Sequence, residues 1–98
     1  MATRKYFRIT EVTKICGVDE GFVLRLEHEE LVVPVIRRRE KVYPIDQVDR
    51  VRVAHILMEE LGVNLPGIEV ALNMRQQMAR MQQDFEGTIR ALLERLGD

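Results

Sequence analysis

The chain has a single cysteine, Cys16, no tryptophan, and only three phenylalanines and two tyrosines among its 98 residues. A lone cysteine cannot close an intramolecular disulfide, which excludes a cross-linked scaffold and fits a reducing, cytoplasmic setting. No apolar run approaches the roughly 20 residues that a membrane-crossing helix needs. The N-terminal stretch lacks the apolar core of a secretory leader, so no membrane association is expected. Glycine is sparse and nowhere forms a phosphate-cradling loop. The formal net charge is −1, so the molecule as a whole has no pull on a polyanion, and any such attraction must be local.

Catalytic and metal chemistry is equally thin. Cys16 has no histidine near it in sequence and reads as a small core residue. His28 and His55 stand alone, without a partner at zinc-ligand spacing. Glu59 and Glu60 are adjacent, so on a helix they point about 100° apart and form no acid/base pair. No catalytic residue, metal or cofactor is expected, and the chain reads as non-enzymatic.

What is present is ample apolar content, 46%, together with 32% charged residues, a mixture usual for one small domain carrying a long exposed helix. Tyr6-Phe7-Arg8-Ile9 reads as a short strand, and Thr10 as the N-cap of a helix that Gly17 stops. Val12, Ile15 and Cys16 share one face of that helix. Asp19 opens a second helix whose apolar face is Phe22, Val23 and Leu26, with Leu31 beyond it. Two short helices joined by a tight glycine turn are a helix-turn-helix pattern. The β-prone run Leu31–Ile36, the polar Arg37-Arg38-Arg39-Glu40 and the strand Lys41–Tyr43 then make a hairpin, with Pro34 at an edge or bend. A third helix is expected from an N-cap at Asp46, with Ile45 as its staple. It ends at Gly62, burying Val48, Val51, Ala54, Leu57, Met58 and Leu61.

Asn64 can cap a fourth helix, with Pro66 in its first turn where a missing N–H costs nothing. Met74, Met78, Met81, Phe85 and Leu92 follow at alternating spacings of four and three, with Ala71 before them and Thr88 between, which are heptad core positions. Near Gly87 the stripe drifts to Ile89, Leu93 and Leu96. A helix of this length with one apolar stripe needs a partner, and a second copy is the simplest one, so a homodimer is expected. The methionines read as seam packing rather than a metal box.

The order strand, helix-turn-helix, hairpin, helix, long helix is similar to the MerR superfamily. The residues that match are Ile9-Thr10-Glu11-Val12, Cys16-Gly17-Val18, Glu27, Leu31-Val32-Val33-Pro34, Tyr43 and Asp46. The fold implied is mainly α: a winged helix-turn-helix with a small β-hairpin wing over residues 1–62, then a long C-terminal coiled-coil helix over residues 63–98. Within that superfamily, Val63-Asn64-Leu65-Pro66-Gly67-Ile68-Glu69-Val70-Ala71-Leu72 resembles a segment of the chaperone-modulator family CbpM. Heat-shock repressors of the MerR class carry a similar segment. The first resemblance implies binding and inhibition of the J-domain of a DnaJ-like co-chaperone; the second implies a DNA-binding transcriptional regulator.

Local charge separates the two. DNA-binding relatives carry a Leu-Arg-Tyr-Tyr-Glu run on the second helix; here the aligned run is Val23-Leu24-Arg25-Leu26-Glu27, with leucine where the phosphate-contacting arginine stands. From Asp19 to Glu30 five carboxylates face only Arg25, a charge that opposes docking on a polyanion. Glu20, Leu24, Glu27 and Glu30 are therefore the candidate face for a basic partner such as a J-domain, beside the plainer reading of a solvated helix face. Against this, Arg37, Arg38, Arg39 and Lys41 outweigh Glu40 in the wing, and Arg4, Lys5 and Arg8 form a second basic patch. With Arg25, the wing cations are the candidate DNA contacts, capable of weak binding to phosphates without reading sequence.

Overall fold

A computed structural model of the chain describes residues 4–97; the outermost residues of both expected segments, 1–3 and 98, lie outside it. Its elements, in chain order, are β1 (Tyr6–Phe7), α1 (Ile9–Cys16), α2 (Glu20–His28), β2 (Val35–Arg37), β3 (Glu40–Pro44), α3 (Ile45–Leu61) and α4 (Leu65–Leu96). This is a mainly α winged helix-turn-helix with a long C-terminal helix.

β1 is shorter than the sequence suggests, because the chain turns into α1 at Ile9. The N-cap is Arg8 rather than Thr10. The reason lies three residues on: Glu11 accepts a hydrogen bond from the Arg8 backbone N–H at 3.0 Å, fixing the helix start two residues early. Glu11 is also hydrogen bonded and ion-paired to Arg4. The Arg4 guanidinium, and then the Arg8 N–H, hold its carboxyl at about 2, below the ordinary 4.5. A carboxylate held below its unfolded value supports the fold above about pH 4.5, and that support is lost as pH falls towards about 2. Glu11→Gln is therefore expected to lower the melting temperature at pH 7. The gap from wild type should close between about pH 4.5 and 2, as a circular-dichroism melting series would show. A gap that stays constant with pH would rule out this linkage.

Gly17, at φ 68°, ends α1 in the left-handed region that an L side chain adopts only at a cost. Asp19 caps α2 by accepting from the Phe22 N–H at 2.8 Å. Gly62, at φ 64°, stops α3, and Asn64 caps α4 by accepting from the Gly67 N–H at 2.9 Å, with Pro66 in the first turn. α3 starts one residue before the expected cap. Its N-cap is Pro44, and Asp46 lies inside the first turn. There its charge favours the positive end of the helix, a signal easily mistaken for a cap.

Two residues join β2 to β3, whose register pairs Arg37 with Glu40 and Val35 with Val42. β1 adds to the far edge of β3, pairing Phe7 with Tyr43, so the wing belongs to a three-stranded antiparallel sheet in the order β1-β3-β2. Leu31 and Val32 were expected in a strand but lie in a bend before it. They drop into the core, and only Val35–Arg37 pairs.

One core unites Val12, Cys16, Val23, Leu26, Leu31, Val32, Tyr43, Val48, Val51, Ala54, Ile68 and Leu72. Phe22 is half-buried against it and meets His55 edge to face, ring centroids 5.9 Å apart. Leu61, expected on the buried face of α3, is 68% exposed; Ile15, read on the apolar face of α1, and Ile45, read as the staple before α3, are 53% and 52% exposed. Ile15 sits beside Cys16 on α1, but the helix is short and only Val12 and Cys16 reach the core. Ile68 and Leu72, from the first two turns of α4, are fully buried in the head. From Asn73 to Gly97 every side chain is exposed.

Candidate interaction surfaces

α2 is the second helix of the helix-turn-helix. Its core face is Val23 and Leu26; its outward face carries Glu20, Leu24 and His28 at successive spacings of four, with Arg25 beside them. Leu24 is 45% exposed, an apolar side chain set on the outward face between Glu20 and His28. The four residues expected to share a docking stripe divide. Glu27 turns toward the sheet, where one oxygen accepts from the Tyr43 hydroxyl at 2.9 Å and the other meets Lys41 Nζ at 2.6 Å. Burial, then the hydrogen bond to Glu27, pushes the Tyr43 phenol well above its ordinary value. Glu30 is not on the helix at all. α2 ends at His28, and Glu30 adopts a left-handed φ of 60° in the following turn. It lines a cleft of 490 Å³ with Val33, Asp46 and Gln47 against α4. The helix ends early because the Leu31 N–H bonds back to the Leu26 carbonyl at 2.9 Å, turning Leu31 and Val32 into the core.

The wing cations divide in the same way. The Arg37 guanidinium lies 4.1 Å above the Tyr6 ring, a cation–π contact. Lys41 is held by Glu27, and Glu40 by Arg8 at 3.2 Å. Arg38 and Arg39 form the turn itself, at φ 52° and 65°. Two consecutive positive φ values are what a two-residue hairpin turn requires, normally supplied by Asn-Gly. Each non-glycine residue there costs roughly 1–2 kcal/mol. Among the described residues neither has an ion-pair partner. Nothing in the sequence except the bare run of arginines marked this turn, because Arg-Arg carries no turn signature.

The junction of head and α4 is the electrostatic feature that sequence reading missed. Asp49 of α3 pairs with Arg52 at 2.6 Å and with Arg75 of α4 at 2.6 Å. Burial raises its pKa, but hydrogen bonds from Arg52 and Arg75 prevail and hold the carboxyl below its ordinary value. Arg50 donates to the Leu31 carbonyl at 2.6 Å, and Gln47 accepts from the Val33 N–H at 2.9 Å, tying the loop before the wing to α3. Apart from the i,i+3 pair Asp49–Arg52, these pairings join residues at least fourteen positions apart, which no local pattern reveals.

Met74, Met78, Met81, Phe85 and Leu92 are all on the exposed part of α4, between 47% and 69% exposed. Cys16 is buried, its thiol donating to the Val48 carbonyl at 3.6 Å, and burial pushes its pKa up. Among the described residues no group of three or more histidine, cysteine, aspartate or glutamate side chains is arranged to hold a metal ion. Among the described residues no helix is long and apolar enough to cross a membrane.

The head, wing and long helix in this order, with a helix-turn-helix at the front, match the family described as MerR HTH family regulatory protein over residues 7–92. The chain belongs to the MerR helix-turn-helix family. That match spans the head, the wing and most of α4, so the long helix is part of the family pattern. Among curated proteins none matches the chain. Within that matched region, α2 exposes Leu24 on its outward face and turns Glu27 inward to accept from Tyr43.

Proposed function

We propose that this MerR-family chain is a non-enzymatic adaptor that docks on the J-domain of a DnaJ-like co-chaperone and inhibits it. The observation that carries the reading is Leu24, exposed on the outward face of α2 next to Glu20. A helix presenting an apolar side chain with a flanking carboxylate suits a basic helix that brings an apolar side chain of its own. Burial of Leu24 would supply affinity, and the charges would steer the encounter and fix register. The carboxylates between Asp19 and Glu30 add a local field that attracts such a partner and opposes a nucleic acid.

A second reading, a heat-shock-repressor-like DNA-binding regulator, is favoured by one observation: Arg38 and Arg39 are presented at the strained tip of the wing. Binding there would grip phosphates and weaken steeply with salt. The two readings part on one substitution. Leu24→Arg should weaken J-domain binding by about tenfold or more, the equivalent of about 1.4 kcal/mol, and strengthen association with duplex DNA. The fold should be unaffected, since the side chain is already outside. Titration calorimetry with an isolated J-domain measures the first effect, and salt-dependent fluorescence anisotropy with a duplex the second. Undiminished inhibition by Leu24→Arg would remove the α2 face from the adaptor reading. A nanomolar complex of the wild type with a selected duplex at physiological salt would install the DNA-binding reading in its place.

A further inference from the structure

Glu27 ties the wing to α2. Its carboxylate accepts from the Tyr43 hydroxyl and meets Lys41 Nζ, so one flank of α2 runs against β3. The period of the strand fixes what lies beyond. Residues two apart share a side of the sheet, so Lys41 is on the side of Tyr43, its ammonium 5.9 Å from that ring. Ile36 is the register partner of Lys41, so its side chain is on the same side. Cover thins along this line. Tyr43 is fully buried, the Lys41 side chain is 40% exposed and Ile36 is 70% exposed, beyond the reach of α2.

Leu24 is the matching residue on the helix. At about 100° per residue, Glu20 and Glu27 lie roughly 40° and 60° from it on the sheet side, while His28 and Arg25 lie on the other. Leu24 and Ile36 are thus two exposed apolar side chains, one from each element, flanking the Glu27–Lys41 pair. The rims differ in sign. Glu20, on the α2 rim, has no ion pair among the described residues, and neither have Arg38 and Arg39 at the wing tip.

Such a face suits a polyanion poorly, since Glu20 repels phosphate and neither Leu24 nor Ile36 can pair with it. It also differs from a plain solvated surface. Asn-Gly would form the same two-residue turn without strain, yet arginines stand at both positive φ values. Residues kept in an unfavourable backbone conformation point to a use for their side chains.

We infer that the wing is half of the protein-docking site: a helix of the co-chaperone partner seats between Leu24 and Ile36, with basic side chains toward Glu20 and acidic ones toward Arg38 and Arg39. This rests on the adaptor reading and extends it. The recognised helix carries an apolar stripe with cations on one flank and carboxylates on the other. Burial of Leu24 and Ile36 supplies affinity, and the opposite rims fix the direction in which the helix lies. A helix turned end for end about its stripe would bring like charges together at both rims, which excludes it.

Replacing Arg38-Arg39 by Asn-Gly tests the inference without loosening the fold. Asn-Gly favours the positive φ values already present, so the urea midpoint should be no lower than that of wild type. Affinity for an isolated J-domain, measured by titration calorimetry, should nevertheless fall roughly tenfold. Ile36→Ser should weaken the complex to a similar extent with an unchanged circular-dichroism melt, because the side chain is already outside. Unchanged J-domain affinity in either variant would overturn the inference. If the Asn-Gly variant keeps its J-domain affinity and loses association with duplex DNA, the arginines serve phosphates instead. In either case the adaptor reading stands as long as Leu24→Arg still weakens the J-domain complex. A wild-type protein that does not bind the J-domain removes both.

Discussion

Truncating Ile68 to alanine is expected to destabilise the head as much as truncating Leu26 in α2, by roughly 2–5 kcal/mol in each case. The two residues belong to segments that sequence reading separated at Gly62, yet both are buried to within 1% in the same core. Ile68 lies one turn into α4, anchored by the Asn64 cap, and meets the core with Leu72 one turn later. A chain of this size has only about 5–15 kcal/mol of stability in total, so a single such loss removes a large share of it. The full-length protein carrying Ile68→Ala should show a lower urea midpoint with little change in slope. A fragment ending at Gly62 should fail to unfold cooperatively, since its core would be open where Ile68 and Leu72 close it. If Ile68→Ala costs under about 1 kcal/mol while Leu26→Ala costs several, the head folds without α4 and the shared core is no more than a contact.

The elements with strong local signals were readable in advance. Asp19 and Asn64 cap where their side chains predict, Gly17 and Gly62 stop where a left-handed residue is needed, and the exposed stripe from Met74 onward has the expected spacing. The hairpin fell where the polar Arg37–Glu40 run put it, although its two-residue turn has Arg38-Arg39 in place of Asn-Gly. What failed was decided at longer range. The start of α1 depends on Glu11, which cooperates with Arg8 and Arg4, so Thr10 loses the cap. The candidate α2 face was over-read for a similar reason. Local charge put Glu20, Glu27 and Glu30 with Leu24 on one candidate face, but the helix stops at His28 because Leu31 and Val32 are needed in the core. Glu27 is then captured by a sheet residue sixteen positions away.

That capture makes Glu27 a residue whose reversal should act on the fold before it acts on any partner. Tyr43 is fully buried, and its hydroxyl reaches Glu27 as its acceptor. Glu27→Lys removes the acceptor and sets a second ammonium against Lys41, the present ion-pair partner. Stranding the phenol should cost roughly 1–3 kcal/mol. The lost ion pair adds less, because both side chains keep some contact with solvent. Glu27→Gln is the control: its amide oxygen can still accept from Tyr43, so it should cost under about 1 kcal/mol. Glu20→Lys, on an exposed side chain with no ion pair among the described residues, should stay within about 0.5 kcal/mol. Tyr43→Phe in the Glu27→Lys background should recover part of the loss, since no hydroxyl is then left unpaired, and the double-mutant cycle should show the two sites coupled. Equal urea midpoints for Glu27→Lys and Glu20→Lys would mean that Glu27 is a surface carboxylate like its neighbour. A large loss for Glu27→Lys alone leaves Glu20 and Leu24 as the part of α2 on which a partner-binding experiment can be read without interference from stability.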